Sequence, residues 1–86
     1  MAWRIEYSAD ALATLRRIPG NLARIIRTKL ERLAINPLAP NNNVRALKGR
    51  PGYRLRVGDW RVIYTLRGDV LVVHVLAVAP RGSAYE

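Results

Sequence analysis

The sequence predicts an α+β fold in which a helical hairpin covers one face of a mainly antiparallel four-stranded sheet. Two observations predict it. After one short strand pattern, apolar residues recur at helical spacing up to residue 35, and the second half alternates apolar and polar residues as strands do. The predicted order is β-α-α-β-β-β. Because both helices separate the first strand from the others, this strand can join the sheet in parallel orientation.

The first half begins with WRIEY, residues 3–7, which alternates as a half-buried strand does. Ser8 is expected to cap a first helix that ends at Pro19-Gly20. A second helix is expected from about Asn21 to just before Asn36-Pro37. The predicted apolar faces are Leu12, Leu15 and Ile18 in the first helix, and Leu22, Ile25, Ile26, Leu30 and Leu33 in the second.

The second half contains YRLRVGDWRVIY, residues 53–64, which predicts a hairpin closed by a two-residue type II′ turn at Gly58-Asp59. This turn sets Arg56 opposite Arg61, with Arg54 on the same face, away from the helices. A second two-residue turn is expected at Gly68-Asp69. It leads into a buried apolar strand, Val70 to Ala79, and places His74 opposite Ile63 on the arginine face.

Size and composition predict one globular domain spanning residues 1–86, half of whose residues are hydrophobic. The absence of cysteine excludes disulfides, thiolate zinc sites and a cysteine nucleophile. The start does not resemble a signal peptide, and no apolar run approaches the roughly 18 residues of a membrane span. We therefore expect a cytoplasmic protein without a membrane partner. No metal-ligand or cofactor motif is present, so no metal or cofactor is expected.

The net charge of +9 predicts a polyanionic partner, either nucleic acid or an acidic protein, although a generally basic protein remains an alternative. Thirteen of the fifteen basic residues are arginines. One guanidinium group can bind two phosphate oxygens at once, so the three hairpin arginines form a candidate anion site. The alternative is that they lie in solvent, screened by salt.

The run LKGRPGYRLRVGDWRVIY, an apolar strand and the final PRGSAY together resemble the RelE/ParE superfamily of type II toxin-antitoxin systems. The resemblance to RelE-like members implies an mRNA interferase that inhibits translation. Such a toxin is a metal-independent endoribonuclease that cuts mRNA on the ribosome by attack of the ribose 2′-OH on the adjacent phosphate. A cognate antitoxin would form a hetero-oligomer with it. ParE-like members share the fold but inhibit DNA gyrase without nuclease activity, and an inactive antitoxin-binding relative is a third alternative.

The resemblance also implies a set of site residues. Arg61 and Arg81 would stabilise charge on the scissile phosphate, and Tyr85 would stack on a base or transfer a proton. The alternative for Tyr85 is a frayed or edge-packed terminus. The expected RNA- and phosphate-binding residues are Arg54, Arg56, Lys48 and Arg50.

His74 is a further candidate for proton transfer, with simple packing as its alternative. Two departures from the family pattern both concern proton transfer. Many family nucleases have lysine where this chain has Arg54 and Arg56, and many have Gly-His-Arg where it has Ala79-Pro80-Arg81. Arginine is a poor general base, so the sequence leaves the proton carriers open.

Overall fold

The computed structural model describes residues 2–82, which form a five-stranded sheet with both helices on one face. The strand order across the sheet is β1-β5-β4-β3-β2. Along the chain the elements are β1 (Arg4–Tyr7), α1 (Ala9–Arg17), α2 (Gly20–Ile35), β2 (Val44–Ala46), β3 (Tyr53–Val57), β4 (Trp60–Arg67) and β5 (Val72–Pro80). The predicted α+β architecture is confirmed, with one strand more than expected. The additional strand, β2, has three residues at the sheet edge, too few for alternation to reveal it.

The two helices begin and end close to the expected residues. Ser8 caps α1 by accepting a hydrogen bond from the Ala11 backbone N–H at 3.0 Å, and its hydroxyl donates to the Leu76 carbonyl of β5 at 2.6 Å. Proline at position 19 separates α1 from α2, and α2 ends at Ile35, with Asn36 as its C-cap immediately before Pro37. No helix within residues 2–82 is long and apolar enough to cross a membrane.

The core lies between the helices and the sheet. Ala11 and Leu15 of α1, with Ile26 and Leu30 of α2, are buried against alternate residues of the strands. The strand side chains in this core are Leu55, Val57, Val62, Tyr64, Val73, Val75 and Val78. Ile25 was expected on the apolar face, but it is 49% exposed. The side chains of consecutive helical residues point about 100° apart. When Ile26 faces the sheet, the Ile25 side chain therefore points away from it.

Strand β1 pairs in parallel with β5, with Ile5 beside Val73 and Tyr7 beside Val75. The remaining neighbours are antiparallel. The parallel pairing follows from topology, since the helical hairpin carries the chain away from the sheet before it returns.

The loop between β4 and β5 differs from the expected two-residue turn. Strand β4 ends at Arg67 and β5 begins at Val72, so four residues form the loop. Leu71 has φ of 54°, a left-handed conformation that leucine rarely adopts and that the sequence therefore does not predict. Val70 and Leu71, expected in a buried strand, are 52% and 47% exposed.

The longer loop changes the neighbours of His74. It pairs with Thr65 and Glu6, not with Ile63 as expected. The loop is longer by an even number of residues, so His74 keeps the side of the sheet that faces away from the helices. A β-bulge beyond it sets Ile63 opposite Ala77.

Candidate functional site

The sheet face turned away from the helices, called here the open face, carries two arginine pairs in adjacent positions. The β3–β4 register confirms the predicted pair of Arg56 and Arg61. The β2–β3 register adds a second pair, Arg45 and Arg54. Gly58 has φ of 58°, as the first central residue of a type II′ turn requires. Strands β2, β3 and β4 thus place four guanidinium groups on one end of the open face.

Two cavities open around these arginines. The smaller, of about 200 Å³, is lined by Asn42, Asn43 and all four paired arginines. The larger, of about 580 Å³, contains Arg56, Arg61, Arg81 and Lys29 of α2. Because Arg56 and Arg61 line both, the cavities form one continuous surface, which we call the arginine cleft. Its basic residues are Lys29, Arg45, Arg54, Arg56, Arg61 and Arg81.

The central cation of the cleft is held by backbone. Arg61 is only 9% exposed, and its Nη1 donates to the carbonyls of Gly58 at 3.3 Å and Trp60 at 3.1 Å. These two acceptors are neutral, so they hold the guanidinium in place without themselves offsetting its charge. Arg81 follows β5, and its backbone N–H donates to the Asp59 carbonyl at 2.8 Å. This bond sets Arg81 beside the turn that positions Arg61.

The described residues of the arginine cleft carry little negative charge. Among the described residues that line its two cavities, Asp59 is the only acid, against five arginines and one lysine. Like charges directly opposite each other on a β-ladder are destabilising, and the cleft contains two such pairs. The arrangement favours a bound polyanion, whose oxygens accept several charge-assisted hydrogen bonds at once.

Other predicted residues lie outside the arginine cleft. Lys48 and Arg50 are exposed in the loop before β3, at the far end of that strand from Arg56, and neither lines the two cavities. His74 also lies away from them, because the β5 partner of Arg61 is Ala79 and not His74. Tyr85 falls outside the described residues. The roles of these four residues stay predictions.

Sequence reasoning missed three residues of the cleft. Arg45 belongs to the short strand β2, whose pairing with Arg54 depends on a loop of unpredictable form. Lys29 reaches the larger cavity from α2, and no local pattern connects it to the hairpin. Asn43 precedes β2, and its side chain accepts a hydrogen bond from Arg56. The polar-apolar alternation in NVRA, residues 43–46, is the one sequence signal that points to this edge.

The tyrosines of the hairpin lie on the other face. Tyr53 and Tyr64 stack with ring centroids 5.5 Å apart and pack into the core under the helices. Burial, and secondarily the neighbouring Tyr53, raise the pKa of Tyr64 to about 12. Its hydroxyl is buried without a hydrogen-bond partner among the described residues. Tyr64 therefore does not supply a proton carrier to the cleft. Within residues 2–82 no group of three His, Asp or Glu side chains could hold a metal ion.

Comparison with known families shows which family this chain belongs to. Residues 5–85 match the model of the ParE toxin of type II toxin-antitoxin systems, parDE. The chain belongs to the ParE toxin family. It is therefore a toxin of a type II system, and the resemblance to the RelE/ParE superfamily is confirmed.

Individual relatives carry RelE names. A RelE-like toxin protein of Escherichia coli is 25% identical over 94% of this chain and 85% of its own length. Toxin RelE1 of Methanocaldococcus jannaschii is 26% identical over 100% of this chain and 98% of its own. Among solved structures, the archaeal RelE-RelB complex from Pyrococcus horikoshii OT3 matches with a TM-score of 0.81 and 28% identity, covering 98% of this chain and 100% of that one.

Proposed function

We propose that this toxin is a RelE-like mRNA interferase, a metal-independent endoribonuclease that cuts mRNA on the ribosome and so inhibits translation. The observation that supports it best is the convergence of Arg56, Arg61 and Arg81 on one cavity whose described lining residues include a single acid. An RNA strand presents a phosphate at every nucleotide, and a row of arginines binds such a strand through its backbone.

The chemistry proposed is a transesterification within the RNA. The ribose 2′-oxygen attacks the adjacent phosphorus, the bond from phosphorus to the 5′-oxygen breaks, and a 2′,3′-cyclic phosphate and a 5′-hydroxyl result. Negative charge accumulates on the phosphate oxygens in the transition state. Arg61, which the turn carbonyls hold in place, and Arg81 would stabilise that charge without reorganising. Arg45, Arg54 and Arg56 would bind neighbouring phosphates.

Proton transfer needs a group other than these arginines, because arginine is a poor general base. Tyr85 is the proposed carrier, four residues along the chain from Arg81. His74, on the open face beside Glu6 and Thr65, is the second candidate.

The proposed partners are the ribosome with its mRNA and a cognate antitoxin. The matching structures from Pyrococcus horikoshii and Escherichia coli are toxin-antitoxin complexes, which supports a hetero-oligomer for this chain as well. An acidic antitoxin segment over the arginine cleft would neutralise its charge and occlude it. We place the complex in the cytoplasm, where its targets are.

A second candidate function is inhibition of DNA gyrase without nuclease activity. The description of the matching family model as a ParE toxin favours it. In that case the cleft arginines would bind a protein or DNA surface, and their substitution would leave RNA cleavage unaffected, since there would be none.

The deciding experiment is induction of the chain in cells, followed by mapping of mRNA 5′ ends. Cuts at defined codon positions support the nuclease, whereas intact mRNA with a DNA-damage response supports the gyrase inhibitor. Arg61→Ala and Arg81→Ala should each lower cleavage about 100-fold or more, because each removes a cation from the transition state. Tyr85→Ala tests the proton carrier.

The matched control is Arg16→Ala, which removes an exposed arginine from α1 on the opposite side of the sheet. It should cleave as the wild type does. If Arg61→Ala and Arg81→Ala fold and cleave normally, the site has been assigned to the wrong residues.

A further inference from the structure

Asn43 is bound to Arg56 at two points. The Arg56 backbone N–H donates to the Asn43 carbonyl at 2.8 Å, and Arg56 Nη2 donates to Asn43 Oδ1 at 3.1 Å. Asn43 is itself held by its neighbour, because its backbone N–H donates to Asn41 Oδ1 at 2.9 Å. One residue of the loop before β2 therefore fixes both the main chain and the side chain of a cleft arginine.

Arg56 needs such a contact more than Arg61 does. Arg61 is buried and hydrogen-bonded to two turn carbonyls, whereas the Arg56 side chain is exposed. Direct opposition to Arg61 would drive an unrestrained Arg56 guanidinium out into solvent. The hydrogen bond to Asn43 opposes that movement, and Asn43 lines both cavities of the cleft.

The acceptor is a neutral amide, which has a chemical consequence. An aspartate at position 43 would also accept from Arg56, but it would cancel one positive charge of the cleft. Asparagine holds the guanidinium with a single hydrogen bond, leaving four of its five N–H groups and its full charge for a phosphate.

We propose that Asn43 is a positioning residue that orients Arg56 toward RNA phosphate while preserving the charge of the cleft. The proposal rests on the proposed function, since it assigns the cleft an RNA ligand. Asn43 acts through Arg56, because it restrains the Arg56 side chain before RNA binds. The Arg56 side chain therefore loses less conformational entropy on binding. Its removal should weaken binding without changing the number of phosphate contacts.

The test measures binding of the full chain to a single-stranded oligonucleotide with 2′-O-methyl riboses, which cannot be cleaved. Affinity is recorded over a series of salt concentrations, because each neutralised phosphate of a single strand contributes about 0.7 to the salt slope. The variants are Asn43→Ala, Arg56→Gln, the double variant and Asn43→Asp. Asn21→Ala is the matched control, since Asn21 is an exposed asparagine of α2 that lines neither cavity.

Asn43→Ala should bind about fivefold more weakly, the factor of one typical hydrogen bond, with an unchanged slope. Arg56→Gln should lower the slope by about 0.7, and Asn43→Asp should lower it similarly while retaining its acceptor. The double variant should bind no more weakly than Arg56→Gln alone. Asn21→Ala should bind as the wild type does.

Wild-type affinity in Asn43→Ala, or additive losses in the double variant, would overturn the positioning role and leave the RNA site standing. An unchanged slope in Arg56→Gln would overturn both the site and this inference. Should Asn43→Ala unfold, the nearly isosteric Asn43→Asp decides, because a wild-type slope there shows that residue 43 does not act on Arg56.

Discussion

The two arginine pairs of the cleft should make the folded toxin more stable when phosphate is present. Arg45 opposes Arg54, and Arg56 opposes Arg61. Each like-charged pair costs about 0.5 kcal/mol relative to a neutral pair. An anion that bridges the guanidinium groups relieves both costs, so the expected gain in the free energy of unfolding is about 1 kcal/mol. For a domain of this size that gain raises the melting temperature by about 4–8 °C.

The experiment replaces chloride by inorganic phosphate at constant ionic strength and follows thermal unfolding by circular dichroism. Arg45→Gln/Arg56→Gln removes one member of each pair and keeps the anchored Arg61, so this variant should lose most of the phosphate effect. Phosphate also strengthens apolar burial in any protein. The charge-matched control Arg16→Gln/Arg17→Gln, on exposed positions of α1, measures that general contribution.

Equal shifts in all three proteins would contradict this prediction, because the effect would then belong to the solvent and not to the cleft. A larger shift in the wild type and in the α1 control than in the cleft variant is the expected result.

Three further predictions concern the scaffold that carries the cleft. Because the pKa of Tyr64 is raised from 10.0 to about 12, the unfolded chain ionises first as pH rises. The contribution of Tyr64 to the free energy of unfolding is therefore fully present below pH 10, and it falls by up to about 3 kcal/mol as the pH rises toward 12. In urea titrations at each pH, Tyr64→Phe should remove most of this loss, while Tyr53→Phe should retain it. Ser8→Ala removes both the cap of α1 and the bond to the Leu76 carbonyl, so denaturation in urea should show a loss of about 1–3 kcal/mol. Gly52→Ala should lower the melting temperature, because φ at Gly52 is 122° and an added Cβ would lie 3.0 Å from the Tyr64 carbonyl oxygen. An unchanged melting temperature would show that the backbone before β3 can shift to accommodate the methyl group.

Local signals are sufficient for much of the fold. Helix ends depend on a capping serine and on prolines at positions 19 and 37, and these act within a few residues. The turn at Gly58-Asp59 is equally local, since only a glycine adopts its first dihedral angles at low cost. The pairing of Arg56 with Arg61 follows from that turn by counting residues, so one of the two arginine pairs is predictable from the hairpin alone.

Other features depend on parts of the chain that are distant in sequence. The four-residue loop before β5 places Leu71 in a left-handed conformation that its residue type does not favour, and the resulting β4–β5 register gives His74 a different partner from the expected one. Arg45, Lys29 and Asn43 come to the cleft from an edge strand, a helix and a loop. Their approach results from packing and strand order, which no single segment encodes.

The order of both helices and of four strands, the excess of positive charge and the hairpin that opposes two arginines follow from the amino-acid sequence, because each depends on composition or on periodicity and turn chemistry over a few residues. The superfamily follows from the resemblance of the sequence motifs. Three features of the cleft follow from tertiary packing instead: β2 brings a second arginine pair beside the first, Arg81 and Lys29 join them, and Asn43 holds Arg56. These contacts form only when the helices pack on the sheet, because that packing brings segments that are distant in sequence next to one another.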